Sequence, residues 1–237
     1  MAFLERRFRQ PEIMDQPGLD PELHRHALRG LARINFVSGS VRILWKPLRE
    51  FLRAKGGTVR VLDVGSGAGD VCIELWRRAR RAGLPLEIDG CDVSPTALAF
   101  ARNAGAEQQA DVRFFEHDAL RGDLPNGYDV VLSSLFLHHL DEPDAVGLLA
   151  RMKQATSSMI LINDLRRCRG GYLLAYFGTR LLSRSTVTHV DGPLSVEAAF
   201  TVSEAASLAE KAGLVGATVS KRWPCRYLLA WKRGLPS

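Results

Sequence analysis

Val61-Leu62-Asp63-Val64-Gly65-Ser66-Gly67-Ala68-Gly69 decides how this chain is read. Its first four residues belong to VRVLDV (59–64), a short apolar run with the β-branched content of a buried strand. The segment that follows, DVCIELWRRARR (70–81), has helical spacing and a basic end. The glycines therefore occupy a strand-to-helix turn, where they let backbone N–H groups close around a ligand. The spacing is GxGxG. Where the dinucleotide fingerprint GxGxxG would place its last glycine stands Asp70, whose carboxylate would repel a pyrophosphate. Asp63, two residues before the first glycine, suits a cationic group instead.

Outward from this turn the pattern alternates. Strands are predicted at 59–64, 86–93, 111–118, 128–134 and 157–164, with helices at 70–81, 95–104 and 143–154 among them. This rhythm implies an α/β fold with a mostly parallel sheet covered by helices on both faces. After a helix at 202–212, two β-like stretches at 214–222 and 225–233 meet at Trp223-Pro224 and predict a closing antiparallel hairpin. Before the alternating region lie an irregular arm and two helices. One starts at Asp20-Pro21-Glu22; the other spans about 38–54, is expected to bend or restart at Pro47, and ends at Gly56-Gly57. The expected organisation is a helical cap at 1–56 and a main domain at 57–237, which carries a lid-like insertion at about 165–200.

Asp92 ends the second strand, where an acid can accept both hydroxyls of a ribose, and Asp118 ends the third, where a carboxylate can accept from an adenine amine. One acid at a strand end is commonly a cap or turn residue. Three of them in register with a glycine loop, at the carboxyl ends where open α/β sheets bind ligands, are a different signal.

VLDVGSGAGD, GCDVS, EHDAL and YDVVLSSLFLHHL together resemble the motif series of the class I S-adenosylmethionine-dependent methyltransferases, small-molecule branch, over about residues 58–165. The resemblance implies a Rossmann-like seven-stranded sheet with its last strand antiparallel, and S-adenosylmethionine as cofactor. It implies that Asp63 and the Gly65-Ser66-Gly67 turn approach the methionine end, Asp92 and Val93 the ribose, Asp118 and Ala119 the adenine, while Ser133 and Ser134 lie beneath the donor. It also implies that the N-terminal helices cover the cofactor, so that Arg33 or Asn35 reaches the donor carboxylate or the substrate. The competing reading of these two is a surface arginine and a helix-ending asparagine.

Methyl transfer from a sulfonium is an in-line displacement helped by alignment, and a hydroxyl nucleophile gains from a base. Leu137-His138-His139-Leu140 follows the fourth strand, facing the place where the methyl would emerge. One of two adjacent histidines on a turn is expected to face the site, His138 rather than His139. Asp164, at the end of the fifth strand, either orients a histidine or substrate hydroxyl or caps the next helix. His24 and His26 read as solvated and His117 as packed; His189 is a weaker candidate to enter the site from the insertion.

The net charge of +6 is unevenly spread. Residues 1–53 hold ten Arg/Lys against six Asp/Glu, and 165–190 hold five Arg and no acid. The remainder is slightly acidic. Together with Tyr172, Leu173, Tyr176, Phe177 and Leu181 in the insertion, this points to a hydrophobic, partly anionic acceptor such as a polyketide phenol or enol or a quinol, with peripheral membrane contact left open. The region around ERRFRQPEIMDQPGLD and RGLARIN is similar to methyltransferases that accompany bacterial type III polyketide synthases. The expected activity is O-methylation, with C-methylation its near neighbour. The rivals are an RNA or protein methyltransferase using the basic segments and a non-catalytic cofactor-binding regulator. Nucleic acid is disfavoured because no aromatic-studded basic strip is visible. Cys72, Cys91, Cys168 and Cys225 show no ligand spacing, so no metal site is expected, and with no signal-peptide core or membrane-length apolar run the expected location is a reducing cytoplasm.

Overall fold

The computed structural model describes residues 4–15, 20–37 and 39–234, without the side chains of 15, 21, 24, 31, 32 and 35–37. In chain order the elements are α1 (Pro21–Val37), α2 (Ser40–Lys55), β1 (Val59–Val64), α3 (Asp70–Arg81), β2 (Leu86–Asp92), α4 (Pro95–Glu107), β3 (Val112–Glu116), β4 (Tyr128–Ser134), α5 (Glu142–Ala155), β5 (Thr156–Leu165), α6 (Arg169–Leu182), α7 (Thr186–Ala198), α8 (Val202–Lys211), β6 (Thr218–Arg222) and β7 (Arg226–Lys232). The strands form one seven-stranded sheet in the order β3-β2-β1-β4-β5-β7-β6. β1 to β5 pair in parallel, while β7 runs antiparallel to both β5 and β6. This is the expected Rossmann-like architecture with its terminal hairpin.

The run-like strands are buried on both faces, and successive residues serve opposite layers. Leu62, Val131 and Ile160 pack with Leu148, Leu149 and Leu208 of α5 and α8. Their neighbours Val61, Val130 and Leu161 pack on the other side with Leu44, Leu48 and Leu75 of α2 and α3. Each such fully buried side chain is worth about 1.5–3 kcal/mol, which makes the sheet the rigid part of the molecule. Leu44, Leu48 and Leu52 also explain why α2 continues through Pro47 without restarting. Packing along one face outweighs the single lost backbone bond.

The strand order reverses between β1 and β4, so the loops after these two strands flank a crevice at the carboxyl edge. Asp63 pairs in register with Gly90 on one side and Leu132 on the other. Above that edge α1, α6 and α7 pack on one another. The stretch 165–200 is thus a helical hairpin, with the side chains of Cys168 and Ser185 accepting from Gly171 N–H and Thr188 N–H at the two helix starts. The N-terminal arm is tied down across this roof. Arg7 donates to the carbonyls of Ala198, His138 and Leu140, and both Asp191 oxygens accept from the backbone N–H groups of Ile13 and Met14. Among the described residues no helix is long and apolar enough to cross a membrane.

Candidate active site

Asp63 is almost wholly buried at the end of β1. Its Oδ2 accepts from Cys72 Sγ–H at 3.2 Å, whereas Oδ1 has no hydrogen-bond partner. Burial pushes the carboxyl up to about 8, against the opposing hydrogen bond from Cys72. In the turn that follows, Gly65 takes φ 70°, and a Cβ there would lie 2.6 Å from Cγ of Phe136, so only glycine lets β1 leave the sheet under that ring. A Cβ on Gly67 would meet nothing within 4 Å. The Gly67 N–H donates to Asp92 Oδ2 at 2.8 Å, and Ser94 N–H donates to Oδ1 at 2.9 Å. Each Asp92 oxygen keeps acceptor capacity beyond these bonds.

A cavity of about 770 Å³ extends from this turn and from Asp92–Ala97 across to the loop after β4. Leu174, Ala175, Gly178 and Leu182 of α6 roof it, and Glu12 and Met14 of the arm close one side. His138 lies at the far wall in a single 3-10 turn, Leu137–His139. Its Nδ1 is 2.7 Å from Asp164 Oδ1, and its backbone N–H donates to Oδ2 at 3.1 Å. Burial pushes the Asp164 carboxyl up, but the charge and hydrogen bond of His138 outweigh it, and the Leu165 N–H adds to them; the group is held below the ordinary range. An ionised carboxylate at Nδ1 fixes the neutral tautomer with the proton on Nδ1 and leaves the Nε2 lone pair free to accept. Asp164 therefore orients the histidine.

The two histidines were expected to diverge, and they do not. Their rings lie 4.2 Å apart at 34°, and both line the cavity. Opposite them is Glu12, which is buried, accepts from Ser195 Oγ–H at 2.6 Å, and lies 3.8 Å from His138 Nε2 and 3.9 Å from His139 Nδ1.

Of the other expected site residues, Gly65, Ser66, Gly67, Asp92, Val93 and Ser134 line the cavity. Ser133 does not. Consecutive strand residues face opposite sides, and the Ser133 hydroxyl is buried against the Val64 carbonyl at 2.7 Å. Asp118 and Ala119 also stand outside the cavity wall. Asp118 accepts from Leu120 N–H at 2.9 Å and lies 3.6 Å from Arg121, while Ala119 is buried in the core. Arg33 is exposed, its Nε on the Arg29 carbonyl one turn back, and Ile34 lines the wall in its place. The side chains of Asn35 and His24 lie outside the described residues. His189 bonds the Ser183 carbonyl rather than entering the cavity.

Among the wall residues that escaped the sequence reading are Glu12, Ser195 and Arg226. Glu12 sits in an arm without periodicity and carries no local signal. Arg226 is detectable in principle, as a cation between apolar residues of a strand. It is buried, and that burial pulls its guanidinium down to about 10 despite the opposing charges of Asp164 and Asp70.

Residues 61–158 match the family model described as Methyltransferase domain. Over this stretch the chain is similar to a methyltransferase domain. It holds β1, the glycine turn, Asp92 and the histidine pair. A demethylmenaquinone methyltransferase of Thermus thermophilus is 30% identical over 142 residues, 59% of this chain and 63% of that protein. The 3-hydroxy-5-methyl-1-naphthoate 3-O-methyltransferase of Streptomyces sahachiroi is 34% identical over 113 residues, 46% of this chain and 31% of that protein. The chain thus spans less than two thirds of the length of these relatives. The magnesium protoporphyrin IX methyltransferase of Synechocystis, solved with bound SAH, superposes with a TM-score of 0.57 at 16% identity, covering 93% of this chain and 91% of its own. The chain therefore shares the fold of that protein at low identity.

Proposed function

We propose that this protein is an S-adenosylmethionine-dependent methyltransferase acting on a phenolic or enolic oxygen of a small molecule, such as a polyketide or quinol. One observation carries the reading. His138, a base that Asp164 holds in one tautomer, lines the same cavity as the buried carboxyl of Asp63, whose second oxygen has no partner.

The residues fit the donor. The unpartnered Asp63 Oδ1 is placed for an α-ammonium, the spare acceptor capacity of Asp92 for ribose hydroxyls, and the open space at Gly67 for close backbone approach. When bound, the donor supplies an electrophilic methyl group on a sulfonium. The protein's part is to hold the acceptor hydroxyl in line and take its proton. Neutral His138 accepts that proton at Nε2, and Asp164 stabilises the imidazolium that results. The apolar roof excludes water from the reacting pair.

The acceptor class follows from the same walls. Leu174, Ala175 and Leu182 suit a ring or alkyl chain, and Arg226 suits an anionic substituent. The relatives named above methylate demethylmenaquinone and a hydroxynaphthoate, which agrees with a small-molecule acceptor. We treat residues 1–56 and 165–200 as the cover of this site. On the exposed side of that cover, Leu173, Phe177 and Leu181 of α6 stand beside Arg180 and Arg184, a surface suited to collecting an apolar anion at a membrane. The test is S-adenosylhomocysteine release with a panel of phenols, enols and quinols, run beside transfer RNA and protein extracts. Turnover on the panel alone supports the proposal. Turnover on RNA or protein alone, or donor binding with no turnover, refutes it.

A further inference from the structure

Glu12 and the two histidines make a second arrangement that methyl transfer does not use. Glu12 Oε1 lies 3.8 Å from His138 Nε2 and 3.9 Å from His139 Nδ1. These gaps are too long for hydrogen bonds, yet the three atoms converge, and one donor atom from each residue falls within 4.8 Å of the others. Four-coordinate zinc bonds nitrogen and oxygen at roughly 2.0–2.2 Å, so its ligands stand only slightly closer together than these atoms do.

The surroundings match a metal site as well. Asp164 accepts from His138 Nδ1, the carboxylate–histidine relay that aims the opposite lone pair at an ion. Ser195 donates to the same Glu12 Oε1 that faces the histidines and so fixes its position. The charges also balance, since a dication with the carboxylates of Glu12 and Asp164 and two neutral imidazoles sums to zero. All three ligand residues line the cavity, which leaves the remaining coordination position open to water or to an acceptor. Two imidazoles and one carboxylate favour zinc and its late first-row neighbours over magnesium or calcium.

We propose that Glu12, His138 and His139 form a zinc-type divalent-cation site that switches the methyltransferase off when filled. The ion takes the Nε2 lone pair of His138, so the acceptor hydroxyl loses its base; no proton moves, because Nδ1–H stays on Asp164. Inhibition rests on the function proposed above, whereas binding of the ion does not.

The experiment uses the full chain stripped with chelator. Zinc is titrated by calorimetry, and cobalt by its visible tetrahedral d–d bands. One saturable equivalent is expected, weakened by at least about 10–100-fold in Glu12→Gln and in His139→Ala, and by about 10-fold in Ser195→Ala. Imidazole ¹⁵N spectra of the unaltered protein provide a reading that no variant can disturb, with zinc shifting one nitrogen of each histidine. Methyl transfer should fall with the same midpoint and return on adding chelator. Absence of saturable binding, unmoved histidine resonances, or equal affinity in both ligand variants overturns the site. Binding without inhibition overturns the switch. If no acceptor is ever turned over while zinc binds as described, the proposed function fails and the cation site stands.

Discussion

Titrating S-adenosylhomocysteine into the protein across a pH series reads the state of Asp63. Burial places its carboxyl at about 8 in the ligand-free protein, so at neutral pH it carries a proton. The unpartnered Oδ1 is proposed to pair with the ligand's α-ammonium, which as the amine of a free amino acid stays protonated up to pH 8. The bound pair is a carboxylate and an ammonium, so below pH 8 binding must expel the Asp63 proton. The Asp63 titration alone then gives an affinity that rises with pH and is about 50-fold weaker at pH 6 than at pH 8, with about 0.9 of a proton released per ligand at pH 7. Calorimetry in buffers of different ionisation enthalpy measures both quantities. Asp63→Asn should bind more weakly at pH 8 and lose the acid limb. The same shift has a stability sign. A carboxyl raised above its unfolded value near 3.9 contributes stability that is present below that value and lost as pH rises through about 8, and Asp63→Asn removes this slope. An affinity flat between pH 6 and 8 in the unaltered protein, with no proton release, would refute the pairing.

Other consequences are open to measurement. Gly65→Ala drives a Cβ into the Phe136 ring at a positive φ, and should cost about 1–3 kcal/mol in denaturant unfolding and weaken S-adenosylhomocysteine binding. Arg167 donates to both Glu204 oxygens, at 2.9 and 2.6 Å, and to the Ala199 and Leu4 carbonyls. Arg167→Met should cost about 2–3 kcal/mol, the low end for a buried pair, because Glu204 still reaches water. Phe177→Glu with Leu181→Glu should leave unfolding within about 0.5 kcal/mol but abolish flotation with anionic vesicles. Flotation that survives the double substitution excludes α6 as the membrane face.

The parts of this molecule that local rules govern were legible in the sequence. VRVLDV and DVCIELWRRARR carry their own periodicity, and β1 and α3 begin and end where those patterns do. Asp63 and Asp92 line the cavity, and Asp164 meets His138 behind it, because a strand's carboxyl end is a fixed place in a parallel sheet. The sequence is silent where a side chain's direction or a distant contact decides. Ser133 and Ser134 are one residue apart and face opposite ways, a matter of register invisible in the string. Asp118 sits at an equally suggestive strand end, yet it stands outside the cavity wall, bonded to Leu120 N–H. Arg33 lies on a helix whose rotation the sequence leaves open. Glu12 joins the histidines because Asp191, 178 and 177 residues along the chain from Ile13 and Met14, grips the backbone beside it and Ser195 holds its side chain. The histidine pair was misjudged because a 3-10 turn closed by Phe136 stacks the rings instead of separating them.

The central claim is that His138 takes a proton from an acceptor oxygen while the glycine turn and Asp63 hold the donor. The most direct measurement is single-turnover methyl transfer from ¹³C-methyl-labelled S-adenosylmethionine to a reactive phenolic acceptor, by the unaltered protein and by His138→Ala, with S-adenosylhomocysteine affinity measured on both. The account predicts an O-¹³CH₃ product, a rate lower by about 10²–10⁴-fold in His138→Ala, and ligand affinity unchanged within about 2-fold. A label on carbon or nitrogen, or an undiminished rate in His138→Ala, would contradict it.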